Sequence, residues 1–255
     1  MKKLLYVAAL TTSTICHATS VSWTGLYIGM NGGYQWAHSD AKPALGGDWI
    51  SLQSPLQRNG IINLFSANLK PTGGIYGIQV GANYQFPNNL IAGFEIEYNH
   101  GDIRSSRDIP NQRVPSLGSS YTVSNSIKIS DIIKPKAKLG YAIGSTMLYA
   151  TGGMGINKEE GSAAISSSGG YKKAGSESSW VNGVVYGAGA EIKLRPNLSL
   201  RLEYLRGNME NLDYYTAYLP GSTFAPPDFN YSESINQTMA TNSILLGVNY
   251  QFKPA

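Results

Sequence analysis

Three groups of residues in this sequence have the types and spacing to do chemistry. Glu95 and Glu97 stand two apart, as do Lys134, Lys136 and Lys138, Glu191 and Lys193, and Arg201 and Glu203. In an extended chain that spacing puts each set on one face. Carboxylates sharing a face can do general acid–base work, or they can neutralise facing lysines and arginine. His38 and His100 are the histidines outside the N-terminal leader region. Such imidazoles can ligate haem iron, with Tyr214, Tyr215 or Tyr218 as helpers, or they can be polar residues at the bases of loops. His38-Ser39-Asp40 holds the residue types of a hydrolytic set. Neighbours on an extended segment point to opposite faces, however, and no second histidine stands near. No catalytic residues, cofactor or metal are assigned, and the chain is expected not to be an enzyme.

The elements that carry these residues alternate with a period of two. On 24–36 one face reads Leu26, Ile28, Met30, Gly32, Tyr34 and Trp36, the other Tyr27, Gly29, Asn31, Gly33 and Gln35. The segment from Tyr76 to Phe86 repeats the arrangement. Strands of this kind are read near 23–37, 73–86, 90–100, 127–142, 147–158, 178–194, 198–208 and 237–252. A face so rich in glycine, amides and paired charges does not make a soluble core, so the large apolar residues are expected to meet lipid. A mean hydropathy of -0.18 hides this, because alternation averages the signal away.

The connections alternate between long (38–72, 101–126, 159–177 and 209–236) and short (87–89, 143–146 and 195–197). That asymmetry suits a barrel with tight turns on one side of a membrane and loops on the other. The expected fold is all-β: a closed, eight-stranded, antiparallel transmembrane β-barrel with long external loops, occupying 19–255. The charged parity faces inward, and Glu191 is expected opposite Arg201. Eight strands leave an interior just wide enough for side chains to fill. A closed network is therefore favoured over an aqueous channel, which remains the alternative. Pro135 cannot donate to a strand ladder and is read as the mark of a bulge.

Aromatics cluster near strand ends. Tyr84, Phe86, Tyr141, Tyr250 and Phe252 are assigned to the periplasmic lipid boundary, and Tyr34, Trp36, Tyr76, Tyr98 and Trp180 to the outer one. The high counts of 29 glycines and 17 tyrosines fit curved walls and boundary anchors. Residues 1–18 read as a secretory leader: Lys2 and Lys3, then Leu4 to Leu10, then Cys16-His17-Ala18 with cleavage after Ala18. Acylation at Cys16 is the competing reading, and Ile15 is bulky for it. Cys16 is the sole cysteine, so the processed chain needs neither disulfide nor thiolate metal site. The net charge of +4 falls further with the loss of Lys2 and Lys3 and does not argue for nucleic acid. The segment 101–126, with Arg104, Arg107 and Arg113, is either solvated or set against anionic lipopolysaccharide. Aromatics of 38–72 and 209–236 either cap the barrel or meet a host or surface partner.

Trp23-Thr24-Gly25-Leu26-Tyr27-Ile28-Gly29 with Asn31-Gly32-Gly33-Tyr34, then Leu139-Gly140-Tyr141-Ala142, Tyr149-Ala150-Thr151-Gly152-Gly153, Gly187-Ala188-Gly189-Ala190-Glu191 and Leu200-Arg201-Leu202-Glu203-Tyr204 occur in order. This set resembles the small outer-membrane β-barrel proteins, the OmpA/OmpX-like surface antigens that include opacity-type adhesins and haemin-binding proteins. Gly247-Val248-Asn249-Tyr250-Gln251-Phe252 is similar to the C-terminal signal read by the barrel assembly machinery, although Lys253-Pro254-Ala255 follows the aromatic and Leu245 replaces a usual polar residue. The resemblance implies a location in the cell outer membrane, contact with membrane lipid and lipopolysaccharide, and an adhesin- or antigen-like role through the loops. A narrow porin-like channel or a haemin-binding surface protein is the alternative.

Overall fold

The computed structural model describes residues 22–252. The leader reading at 1–18 and the residues after Phe252 lie outside them. Eight long strands form a ring: β1 (Gly25–Gly47), β3 (Thr72–Gln85), β4 (Leu90–Val114), β5 (Ser119–Ile143), β6 (Thr146–Ser167), β7 (Lys172–Arg195), β8 (Leu198–Tyr215) and β10 (Tyr231–Gln251). Each pairs antiparallel with the next, and β10 closes on β1 from Tyr27 opposite Gln251 to Gly47 opposite Tyr231. Two short strands, β2 (Ala67–Leu69) and β9 (Ala217–Tyr218), add to β1 and β7. Among the described residues no helix is long and apolar enough to cross a membrane; the crossing is made by strands.

The strands run well past the lengths read from the sequence. A strand of 25 residues covers roughly 80 Å along its axis, whereas ~9–11 tilted residues cross a bilayer. On the outer wall apolar side chains hold the lower half: Leu26, Ile28 and Met30 on β1, Ile78 and Val80 on β3, Leu246 and Val248 on β10, all exposed. Then the same face turns polar. Trp36 gives way to His38, Asp40 and Lys42, Tyr98 to His100, Asp102 and Arg104, and Tyr204 to Arg206, Asn208 and Glu210. That change marks where lipid ends, and beyond it the barrel projects into water.

The four long loops are accordingly shorter than expected, because most of their residues continue the strands. The external connections reduce to 48–71, 115–118, 168–171 and 216–230. Outside the lipid band the alternation keeps its period and changes its meaning. Polar residues face water, and Ile103, Ile127, Ile129, Ile165, Leu212 and Ile235 face inward as a conventional core. The end of the lipid-facing pattern is not the end of a strand.

The first connection carries the cap. Helix α1 (Asp48–Ser51) is followed by α2 (Pro55–Phe65), which starts with a capping box between Ser54 and Gln57 and has Pro55 in its first turn. Ile61, Leu64 and Phe65 share one face of α2 and are buried in the upper core, as is Trp49 of α1. The aromatic loops therefore close the barrel with these residues and with Tyr214 and Tyr231, while Tyr215 and Phe224 stay exposed.

Pro135 is corrected as the bulge. It lies opposite Ile96 in an unbroken β4–β5 register, and the bulge on β5 falls between Ile129 and Ile132. That extra residue switches the inward parity from Ile127 and Ile129 to Ile132, Lys134, Lys136 and Lys138.

Candidate functional site

The middle of the barrel interior is a layer of ions. Arg201 of β8 donates from Nη1 to both carboxylate oxygens of Glu95 at 2.6 and 2.7 Å, and from Nη2 to Glu97 at 3.0 Å. Lys136 lies 2.5 Å from Glu203, 3.1 Å from Glu97 and 3.2 Å from Glu95. Lys134 reaches Glu97 at 3.0 Å, and Lys138 reaches Glu95 at 3.4 Å. All of these residues are buried. Ions removed from water are tolerable only when paired in this way. The carboxylates of Glu95, Glu97 and Glu203 lie within 4.8 Å of one another, as a metal site would require. Lys136 and Arg201 contact all three, so the chain's own cations take that place.

The layer contains a repeated device. Tyr27 donates to Glu95 at 2.7 Å, and Tyr149 donates to Glu203 at 2.8 Å. Between each pair stands a glycine, Gly81 or Gly189, on the intervening strand. A Cβ at either would come within 2.4 Å of the tyrosine hydroxyl, so only glycine lets the ring lie flat across that strand. The Lys138 ammonium lies between the two rings, 5.2 Å from the Tyr27 centroid and 4.6 Å from that of Tyr149.

A chain of amides extends the layer around the wall. Asn99 donates to Asn31 at 2.6 Å, Asn31 to Gln79 at 2.5 Å, Gln79 to Asn249 at 2.7 Å, and Asn249 to Glu191 at 2.9 Å. Glu191 stands opposite Arg201 in the β7–β8 register, as the turn spacing implies. Among the described residues it forms no ion pair; its partners are Ser199 and Asn249. Lys193 is placed outside the network, which corrects its assignment. It is half-buried at the periplasmic mouth, 2.6 Å from Gln251 Oε1 and over the Trp23 ring. The reason is position: two residues beyond Glu191, β7 has reached its turn.

Below the ions, Trp23, Ile91, Ala142, Met147 and Tyr149 form an apolar floor. Above them begins the upper core, where Leu245 is fully buried. That inward leucine departs from a polar pattern because it supports the apolar tier.

The external end has its own buried ion pair. Lys173 lies 2.7 Å from Glu233, and Glu233 also accepts from the Trp49 indole at 2.7 Å and from the hydroxyls of Tyr171 and Thr216. Burial and the Glu233 charge push the Tyr171 hydroxyl up from its ordinary range. The sequence reading missed this centre, since Lys173 and Glu233 fell in segments read as loops.

The other assigned residues lie on the outer wall. Tyr84 packs edge-on against Phe86, and Tyr250 against Phe252, while Trp36 lies 6.4 Å from Tyr204. Tyr98 donates to Asp131 at 2.8 Å, and Tyr34, Tyr76, Tyr141 and Trp180 are exposed. His38 meets Asn68 at 2.9 Å, and His100 meets Asp131 at 2.9 Å. Both histidines face outward, whereas Tyr214 points into the upper core and Tyr218 packs on Lys173. The structure does not bring these haem candidates to one site. Ser39 turns inward from its neighbours His38 and Asp40 and meets Gln237 at 3.0 Å.

The chain is 24% identical over 247 residues to the 31 kDa outer-membrane immunogenic protein of Brucella melitensis, covering 94% of this chain and 88% of that protein. Among solved structures it is similar to Ail, the attachment invasion locus protein of Yersinia pestis, at 16% identity over 89% of this chain and 99% of that one, with a TM-score of 0.34. It is also similar to the outer membrane protease OmpT of Escherichia coli, at 9% identity over 94% and 100% of the two chains, with a TM-score of 0.48. The model of the outer membrane protein beta-barrel domain matches residues 5–252, nearly the whole sequence, and the chain belongs to that family.

Proposed function

We propose that this outer-membrane protein serves as a surface interaction protein whose working part is its projecting external end, and that it neither conducts nor catalyses. The observation that carries this reading is the occupied interior. An apolar floor, a layer of paired ions and an apolar core succeed one another along the axis and leave the moving chemistry to the tip. Relatives that include an outer-membrane immunogenic protein favour the same reading.

Several roles belong to it. The ion layer holds the walls together. The aromatic pairs at 84 and 86 and at 250 and 252 anchor the periplasmic boundary, with Tyr34, Trp36, Tyr76, Tyr98 and Trp180 at the outer one. Arg104, Lys128 and Lys158, outside the lipid band, meet lipopolysaccharide phosphates. The β10 terminus is read by the barrel assembly machinery, and the leader is cut after Ala18. Host or surface ligands engage the external connections.

Planar-bilayer recording of the refolded chain tests the closed lumen: no stable single-channel steps are expected, and reproducible steps at matched protein density overturn it. Limited proteolysis of intact cells tests the exposed end. Cleavage confined to 48–71, 115–118, 168–171 and 216–230 is expected, and cleavage at the short turns near 87–89 reverses the topology.

A further inference from the structure

A cleft of about 200 Å³ opens at the external end, and all four external connections line it. Trp49, Gln53 and Gln57 come from the first, Leu117 and the neighbouring Tyr121 from the second, Tyr171 from the third, and Phe224 and the neighbouring Tyr231 from the last. We infer that this cleft binds the terminal ring of an uncharged glycan. The inference rests on the reading that the external end is the working surface.

The lining chemistry selects the ligand class. Aromatic faces supply apolar walls, while Gln53, Ser119 and Ser167 supply an amide and hydroxyls at the edges; the Gln57 amide is held by its helix cap and by the Ser116 carbonyl. A sugar ring has the matching pair of surfaces, a C–H face and a rim of hydroxyls. Among the described residues no charged side chain lines the cleft. Beneath the aromatic walls Lys173 and Glu233 are spent on each other, and the Arg58 guanidinium behind Gln53 is turned to the backbone oxygens of Ile50 and Gln53. In the described lining a phosphate or sulfate finds no cation, and a quaternary amine no carboxylate. The cleft is smaller than the ~300–1,000 Å³ of drug-sized pockets, which suits one ring at a chain end.

The walls are also fixed in advance. Glu233 accepts from Trp49 and Tyr171, which turns their polar edges inward. Gln53 donates to the Tyr231 hydroxyl at 3.1 Å and keeps its carbonyl oxygen for a ligand. Tyr231 is held edge-on to Trp49, their centroids 4.8 Å apart. Phe224 holds a left-handed backbone at φ 55°, a strained conformation that a phenylalanine rarely adopts, at the rim of the cleft. Rigid walls reduce the ordering cost of binding.

The test is saturation-transfer NMR on the full chain, refolded in a zwitterionic detergent without a sugar headgroup. The probes are methyl pyranosides of neutral hexoses and N-acetylhexosamines, a sulfated disaccharide, and a short peptide ending in tyrosine. Neutral pyranosides are expected to bind saturably. Phe224→Ala and Gln53→Ala are each expected to weaken them about tenfold without changing the heat-modifiable gel shift of the folded barrel. Ser162→Lys, on the outer wall, is expected to leave binding unchanged. The proposal is overturned if folded protein binds no neutral pyranoside, if both cleft variants bind at full strength, or if only the sulfated sugar or the peptide binds. Those results leave the surface-interaction reading standing, whereas single-channel conductance removes the reading beneath it.

Discussion

Arg201 and Glu95 meet across the full width of the barrel. They sit on β8 and β4, four strands apart by either route around the ring, and the guanidinium grips both carboxylate oxygens. A diametric pair cannot form around a water-filled pore; it ties opposite walls together.

Breaking that tie removes the one cation that joins the far wall to both carboxylates in a dry interior. Arg201→Met is expected to cost about 3–5 kcal/mol in urea unfolding followed in lipid vesicles, because Glu95 and Glu97 lose the guanidinium that makes their shortest hydrogen bonds and keep only lysines as counter-ions. Lys193→Met, at the half-open mouth, costs under ~1 kcal/mol. Equal losses for Arg201 and Lys193 would contradict the layer as described.

The glycines across which the tyrosines lie give a second test. Gly81→Ala puts a methyl group against the Tyr27 ring, and Gly189→Ala does the same to Tyr149. Each is expected to cost about 1–3 kcal/mol by overpacking. Tyr27→Leu combined with Gly81→Ala recovers stability relative to Gly81→Ala alone. Neutral behaviour of both alanine variants would mean that the rings do not rest on those strands.

What the sequence revealed depended on where lipid lies. Within the lipid band the alternation of Leu26, Ile28 and Met30 against Tyr27, Gly29 and Asn31 identified strands, faces and ring size, because a two-phase environment writes one pattern throughout. Glu95, Glu97, Lys134, Lys136, Lys138, Arg201 and Glu203 were legible as one inward group by parity alone. Their pairing was not. Arg201 reaches past its cross-strand neighbour Glu191 to the far wall, and only the curvature of the closed ring brings β4 within range. Above the band, inward Ile103 and Ile129 with outward Arg104 and Lys128 resemble any soluble hairpin, and the bulge after Ile129 resets the parity. Lys173 and Glu233 stand 60 residues apart, in segments that read as connections and fold as the ends of β7 and β10, so no local spacing announces them.

The position of the lipid band is itself testable. Met30, at the middle of the apolar stretch of β1, is exposed on the outer wall. Met30→Lys is expected to cost about 2–4 kcal/mol in vesicles, whereas Ser162→Lys, on the projecting part of β6, costs almost nothing. A small effect at Met30 would move the band.

Glu159 gives the last prediction, through pH. It lies on β6 just beyond the lipid band, buried, between Ile129 of β5 and Ser179 of β7. Burial pushes its carboxyl up to about 7, and the Asn157 amide at 3.4 Å pulls the other way. A carboxyl raised above its unfolded value of 4.5 binds its proton more tightly in the folded barrel. Its contribution to stability is therefore highest below pH 4.5, falls as pH rises from there to about 7, and stays low above that. The full loss is at most about 3 kcal/mol. Glu159→Gln keeps the shape and the hydrogen bond from Asn157 and removes the titration. The variant is expected to melt several degrees above wild type at pH 8 in detergent micelles and to match it near pH 4.5. A melting difference that does not change with pH would mean that Glu159 is solvated, and that the projecting barrel admits water where the side-chain packing says it does not.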